Sequence, residues 1–430
     1  MNADRRVERI YIQNEYATVH MYDLIVVGSS FSGSMTAITA ITASKSSKVL
    51  VIEKRKEPGT PHNSTGAVPI EYISKMNVMP SQDCIAGKTS GVEFIAPNGK
   101  NALIKKTEPD GMVTYPDRYA KWLSDKSHDL GCTVMTETLF KGLSVHKSAN
   151  NGGVNKDDYV LTVSTNKGEF KAKYVVGADG AVSAVGQSIG LGERPAPEDL
   201  HLGIEYNVEN KQIQDPEVFR LYLGHEVAPL GYAWSFPEGP DRLRVGLGIP
   251  ESLGIRPLDL QRRFLNKYPE FKSKITKMSG GIIPTAPPLK TAVKGHVMLV
   301  GDAAHFCSPL HGGGIWFGME SGILAGTAVA QDQPELYDRL WKEQLGGVLS
   351  RHYKLKRIIY SMSDKNLDDM VSILRTYSDT KSKNYGFAHT IQKLMFSEPG
   401  FVLDMALKSL KYGLTVDVIK RVIVPDFRIA

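Results

Sequence analysis

The chain has 430 residues, of which 42% are hydrophobic and 23% charged, a balance that suits a soluble globular protein of two or three structural units. Its apolar runs are strand-sized, which argues against a membrane-spanning helix, and no secretory signal pattern precedes them. A formal net charge of +6 and three dispersed cysteines, Cys84, Cys132 and Cys307, argue against nucleic-acid binding, a disulfide scaffold and a cysteine metal site, and fit a reducing cytoplasm.

Residues 1–20 are polar with mixed charges and are expected to be either a disordered leader or an upstream extension of a chain whose natural start is Met21. The apolar run Leu24–Val27 then leads into Gly28-Ser29-Ser30-Phe31-Ser32-Gly33, a small-residue helix through Ala43, and a second strand over Lys48–Ile52 that ends at Glu53 and Lys54. This is a β-α-β unit with a dinucleotide fingerprint. Its glycines permit a tight turn and close approach of backbone to pyrophosphate, and an acidic residue about 20 positions past the last glycine meets a ribose hydroxyl pair. Glu53 falls at that spacing, while Ser30 replaces the middle glycine, losing room but adding a hydroxyl.

Residues 55–69, with His62 and Ser64, read as a loop. Val92–Lys106 reads as a hairpin turning at Pro97-Asn98-Gly99, and Asp117–Leu130, which carries Arg118, as an amphipathic helix capped by Asp117. Two further strands flank a polar turn at Asn150–Asp158. The run Tyr174–Gly177 ends a strand at Ala178-Asp179-Gly180, which delivers an acceptor and a flexible turn to a sheet edge.

From 197 to 290 the pattern changes to alternating strands such as Leu202–Val208 and Arg242–Gly248, with helical periodicity confined mainly to Leu258–Tyr268. Within it, Tyr232-Ala233-Trp234-Ser235-Phe236-Pro237 places three aromatic rings on one strand face at period 2. They form either core or the wall of a ligand site.

The strand Val297–Val300 ends at Gly301-Asp302, and His311-Gly312-Gly313-Gly314 then opens a helix. Backbone N–H groups at such a turn attract negative charge, and Asp302 can accept from a sugar-like hydroxyl. Strand ends near Gly28, Asp179 and Asp302 are thus expected to converge on one extended ligand. Residues 331–430 read as helical, with amphipathic stretches at Ser361–Tyr377 and Phe401–Lys411. Lys and Arg exceed Asp and Glu there by 16 to 12, which fits either a solvated face or contact with an anionic membrane surface.

With these motifs in order, the chain resembles the flavin-dependent geranylgeranyl reductase family, within the aromatic-hydroxylase-type flavoproteins. The resemblance covers about residues 21–330, and the Tyr-x-Trp-x-Phe-Pro strand is the motif that points to prenyl reductases. It implies an α/β fold: a Rossmann-like FAD-binding domain of residues 21–65, 107–196 and 291–330, an inserted antiparallel-sheet substrate domain of 66–106 and 197–290, and a helical region of 331–430. It implies FAD held by Gly28, Ser30, Phe31, Ser32, Gly33, Glu53, Lys54, Asp179, Gly180, Asp302 and Gly312–Gly314. Arg118, a few residues out of register, would reach a flavin phosphate. Tyr232, Trp234, Phe236 and Pro237 would wall a tunnel for an apolar polyene.

The family carries a cysteine in the loop after the second strand, where this chain has Ser64. A serine hydroxyl is a far weaker acid than a thiol, so His62, His305 and His311 join Ser64 as candidates for proton transfer. The expected activity is reduction of isoprenoid double bonds in geranylgeranyl lipids or polyprenyl precursors, with NADPH or a ferredoxin as donor. The alternatives are a flavin monooxygenase or halogenase on the same fold, and a homologue that binds flavin or lipid without catalysis.

Overall fold

The computed structural model describes residues 21–61, 64–147, 159–209 and 213–381, together with 404–405, 407–408 and 411–412. The expected leader, His62, the turn at 150–158 and most of 401–411 lie outside the described residues.

An eight-stranded sheet has a parallel centre in the order Val297–Leu299, Gly168–Gly177, β1 (Met21–Val27), β2 (Val49–Ile52) and Thr133–Met135. Leu24, Ile25 and Val26 are fully buried, because helices and hairpins cover both faces of a parallel sheet and leave no solvent side for polar alternation. In register, Val27 pairs with both Ile52 and Gly177, and Gly177 pairs with Leu299. The carboxyl ends of four strands are therefore level, and Gly28, Glu53, Ala178 and Val300 leave the sheet along one line.

The helix α1 (Phe31–Ala43) packs on the helix Ile315–Ala330 through small residues. A Cβ on Gly322 would stand 2.4 Å from the Ser32 carbonyl oxygen, and one on Gly326 would stand 2.7 Å from that of Thr36. Backbones this close fix the turn before the second helix beside the Gly28–Gly33 loop.

A seven-stranded sheet runs in the order Ile275–Pro284, Leu200–Glu209, Arg242–Pro250, Tyr232–Pro237, Val218–Tyr222, Gly91–Ile95 and Asn101–Lys105. It is antiparallel except where Val218–Tyr222 meets Gly91–Ile95 in parallel. That exception arises because the hairpin at 91–105, turning at Gly99 as its sequence suggests, joins the edge from a distant part of the chain. Ala67–Pro69, Gly111–Thr114 and Ile85–Thr89 form a separate three-stranded sheet.

One face of the large sheet, with Tyr206, Val208, Leu243, Val245, Leu247 and Ile249, packs on Leu260 and Phe264 of the helix Pro257–Lys267. The period-2 alternation puts Glu205, Arg244 and Trp234 on the other face. Beyond residue 331 come the helices Pro334–Trp341, Gly347–Tyr360 and Asp364–Lys381. The last starts three residues later than expected, where Ser363 and Asn366 exchange backbone-to-side-chain hydrogen bonds. The helix carrying Arg118 starts at Pro116, after Tyr115, rather than behind an Asp117 cap, because proline's fixed φ suits a first helical position. Among the described residues no helix is long and apolar enough to cross a membrane.

Candidate functional site: a flavin cradle roofed by an aromatic strand

The level strand ends build one side of the site. Gly28 has φ 106°, and a Cβ there would lie 2.4 Å from the Ala178 carbonyl oxygen; one on Gly33 would lie 1.9 Å from that of Gly28. Only glycine fits either place, so the loop closes tightly on the first turn of α1 and presents its backbone N–H groups. Ser30 takes φ −82° and ψ −160°, an extended conformation open to any residue, so the serine in the fingerprint is accommodated. The Phe31 ring packs on Tyr119 with centroids 5.3 Å apart, and Lys54 is exposed.

The three acidic residues at the strand ends differ in what occupies them. Glu53 Oε2 accepts from the Ser29 N–H at 3.1 Å and its hydroxyl at 3.2 Å, and Oε1 accepts from the Arg55 N–H at 2.9 Å. Oε1 keeps a lone pair for a further donor such as a ribose hydroxyl. Asp179 accepts from the Ser183 hydroxyl at 2.6 Å and the Val185 N–H at 3.0 Å, so its carboxylate closes the turn into the helix Ala184–Ser188. Gly180, at φ 91°, has open space where a Cβ would point.

Asp302 makes no side-chain hydrogen bond among the described residues, and loss of surrounding water pushes its pKa up to about 6. The Gly312–Gly314 turn backs onto it: a Cβ on Gly314 would stand 3.0 Å from Asp302 Oδ1. The helix Ile315–Ala330 starts at the next residue.

The large sheet roofs this edge with its charged and aromatic face. Trp234 lies across Gly246, where a Cβ would stand 2.6 Å from the indole, and its Nε1–H donates to Glu205 Oε2 at 2.9 Å. Arg244, only 3% exposed, donates to Glu238 Oε1 at 2.6 Å and to the Thr65 carbonyl at 2.5 Å. It thus ties the sheet to the loop that carries Ser64. Between them is a cavity of about 210 Å³ whose walls include Ser64, Arg118, Glu205, Asn207, Arg244 and Lys277. Phe236 packs on Phe219 with centroids 4.3 Å apart, in a buried cluster with Val371 and Leu374 that also takes in the Trp234 ring. Tyr232 reaches the opposite end of the site, at the turn of His311.

A family model for the geranylgeranyl reductase catalytic domain matches residues 199–283, and one for an FAD-binding domain matches residues 21–231. A digeranylgeranylglycerophospholipid reductase of Methanothrix thermoacetophila is 31% identical over 86% of this chain and 96% of its own length. The chain belongs to the geranylgeranyl reductase family. A second such reductase, from Methanosarcina acetivorans, is 32% identical over 83% of this chain and 89% of its own. Among solved structures, a geranylgeranyl bacteriochlorophyll reductase-like protein of Thermoplasma acidophilum shares the fold with a TM-score of 0.76 at 24% identity, covering 90% of this chain and 99% of that one.

The reductase family implies FAD, and the residues fit it. Glycines at 28 and 33, which admit no Cβ, hold the loop tight on the Ala178 turn so that its backbone N–H groups can meet a pyrophosphate, and Asp302 is an acceptor without a donor among the described residues.

The proton-transfer candidates are unequal. The Ser64 hydroxyl lines the cavity and accepts from the Gly66 N–H at 3.1 Å. His311 Nδ1 accepts from the Gly313 N–H at 3.2 Å, so the ring shapes the glycine turn. Its neighbour His352, 5.5 Å away between centroids, is pushed down to about 3 by desolvation and by His311, and stays neutral. His305 is buried, bonded to the backbone at Pro287 and Glu193. Arg118 donates to the Asp83 carbonyl at 2.9 Å and stacks on Tyr115, which turns it toward the cavity rather than the Gly28–Gly33 loop. The three cysteines are buried free thiols; burial pushes that of Cys307, behind Gly314, well up, so it stays protonated.

Sequence reasoning missed Glu205, Glu238 and Arg244. For Glu205 and Arg244 the signal was present: charged residues on strands whose flanking positions are apolar, and Gly246-x-Gly248, which clears space for a large ring; Glu238, just past its strand, carried none.

Proposed function

We propose that this protein uses FAD to saturate carbon–carbon double bonds in the geranylgeranyl chains of a membrane glycerophospholipid. The observation that carries the reading is the Tyr232–Trp234 face of the large sheet. It is held over the level strand ends by Arg244 on one side and Tyr232 on the other. Rigid aromatic rings give a polyene large apolar contact with little conformational freedom to lose.

Reduced FAD, when bound, supplies hydride. The protein's part is to orient and to manage charge and protons. Gly28–Gly33 would hold the pyrophosphate, Glu53 Oε1 a ribose hydroxyl, and Asp302 a ribityl hydroxyl. The helix that opens at Gly314 would stabilise negative charge on a reduced flavin bound at its N-terminus. Ser64, His311, Tyr232 and Trp234 would border the bound ring and the alkene.

Anaerobic incubation of dithionite-reduced protein with geranylgeranyl glycerophospholipid is expected to give saturated chains, each reduction adding two mass units by mass spectrometry. Unchanged lipid with every prenyl substrate would overturn the reading. Substrate-stimulated oxygen uptake with intact double bonds would replace it with a monooxygenase.

A further inference from the structure

An isolated alkene needs a proton as well as a hydride, and the position where the family carries a thiol holds Ser64, whose hydroxyl is a very weak acid. The side chains around Ser64 include one buried carboxyl that touches both halves of the site. Glu205 is 8% exposed on the inward face of its strand. Its Oε2 accepts from Trp234 Nε1, in the aromatic roof, and the residue also forms part of the wall of the polar cavity that Ser64 lines. The geometry points to Glu205 as the acid that delivers the proton to the alkene, resupplied from the cavity. This inference rests on the proposed reductase activity and assigns it a donor.

The groups facing Glu205 favour the role. Arg244 and Lys277 attract a negative charge on it and Glu238 opposes one, while burial outweighs them and pushes its pKa up. Glu238 is itself bonded to Arg244 and to Asn207, at 2.6 and 2.8 Å. A carboxyl so placed holds its proton longer than an exposed glutamate. The carboxylate left after transfer keeps the Trp234 N–H and the nearby Arg244 guanidinium. That combination, a proton held by desolvation and a conjugate base already solvated by fixed donors, is what general acid catalysis near neutral pH requires.

The step balances. One alkene carbon receives hydride from the reduced flavin, and the other receives the Glu205 proton. The π bond, the carboxyl O–H bond and the flavin N–H bond that supplies the hydride break, and two C–H bonds form; the flavin is oxidised and the alkene reduced. Solvent entering the cavity that Ser64, Asn207 and Ser279 line would then reprotonate the carboxylate.

Two measurements test the assignment. In flavin-free protein, Trp234 fluorescence should titrate with Glu205, giving a transition above the ordinary glutamate range that is lost in both Glu205→Gln and Trp234→Phe. In prereduced protein mixed anaerobically with geranylgeranyl lipid, Glu205→Gln should slow flavin reoxidation by about 100-fold or more and abolish its fall at high pH. FAD and lipid affinities should stay within about twofold of wild type. Glu205→Asp, which keeps the acid but withdraws it, should lose about tenfold and retain the pH dependence, and it decides the matter if the glutamine variant misfolds. Wild-type turnover matched by Glu205→Gln, or no Glu205-dependent fluorescence transition, overturns the donor role alone. A wild-type protein that leaves every prenyl chain intact overturns the proposed function and the donor role together.

Discussion

The Tyr232 hydroxyl donates to the main-chain carbonyl of His311 at 2.6 Å, latching the aromatic strand to the glycine turn that would face the flavin ring. Desolvation raises the phenol's pKa far above its ordinary value, so it remains a donor throughout the physiological range. Tyr232→Phe removes the donor and leaves the carbonyl unsatisfied, which costs about 1–3 kcal/mol. The expected result is a Tm lower by several degrees and a KM for prenyl lipid raised more than kcat falls, checked by calorimetry and steady-state kinetics.

Asp302 sets function against stability. Its folded pKa of about 6 lies above the ordinary 3.8, so between those values the folded protein binds the extra proton and loses stability as pH rises. Above pH 6 the full cost of the unpartnered carboxylate is present, about 1–3 kcal/mol once partial exposure is allowed for. Asp302→Asn is expected to raise the Tm of flavin-free protein at pH 7 but not at pH 4. It should weaken FAD binding about tenfold or more at pH 7, because an amide is a poorer acceptor for the ribityl hydroxyl. Thermal scans at both pH values and flavin titration check the two halves.

The contact between α1 and the helix Ile315–Ala330 has no slack. At Gly322 a Cβ would stand 2.4 Å from the Ser32 carbonyl, with Met35 Cβ also only 3.1 Å away. Gly322→Ala must push the helices apart, and the fingerprint loop with them. A loss of about 1–3 kcal/mol is expected, together with a lower ratio of flavin to protein absorbance after purification. Gly180→Ala, with open space around it, should lose less stability, mainly through its positive φ.

The helix Gly347–Tyr360 is riveted to the large sheet by Lys356, 1% exposed, which bonds Asp199 Oδ1 at 2.7 Å and both the carbonyl and hydroxyl oxygens of Thr285 at 2.9 Å. Next to it, His201 bonds the Thr285 hydroxyl at 2.8 Å and accepts or donates at Tyr360. Lys356→Met leaves Asp199 without its cation and is expected to cost about 3–5 kcal/mol. Lys356→Met with Asp199→Asn should recover part of that loss. A double-mutant cycle by denaturant unfolding measures the coupling.

The sequence alone determined the flavin half of the molecule. An apolar run, a tight glycine turn, a small-residue helix and Glu53 at the right spacing are local features. The aspartate after Val300 and the glycines after His311 could be read the same way, because strand ends and helix starts are made by neighbouring residues. Sequence also marked Tyr232, Trp234 and Phe236 as sharing a face, since period 2 is a property of one strand.

Only the tertiary structure decided which of these residues meet. Asp179 matched Asp302 in pattern, yet its carboxylate closes its own turn while that of Asp302 stays open. Phe236 and Trp234 share one buried cluster, yet only the indole has a polar atom that ties it to the site, through Glu205, while Phe236 packs on Phe219. Glu205 gained a role in the site only through pairing across strands: Gly246 lets the indole reach over one strand to the next, a contact between residues 29 apart. Hydrogen bonds between distant strands depend on register and crossing order, which are settled by burial of the whole sheet rather than by any local run.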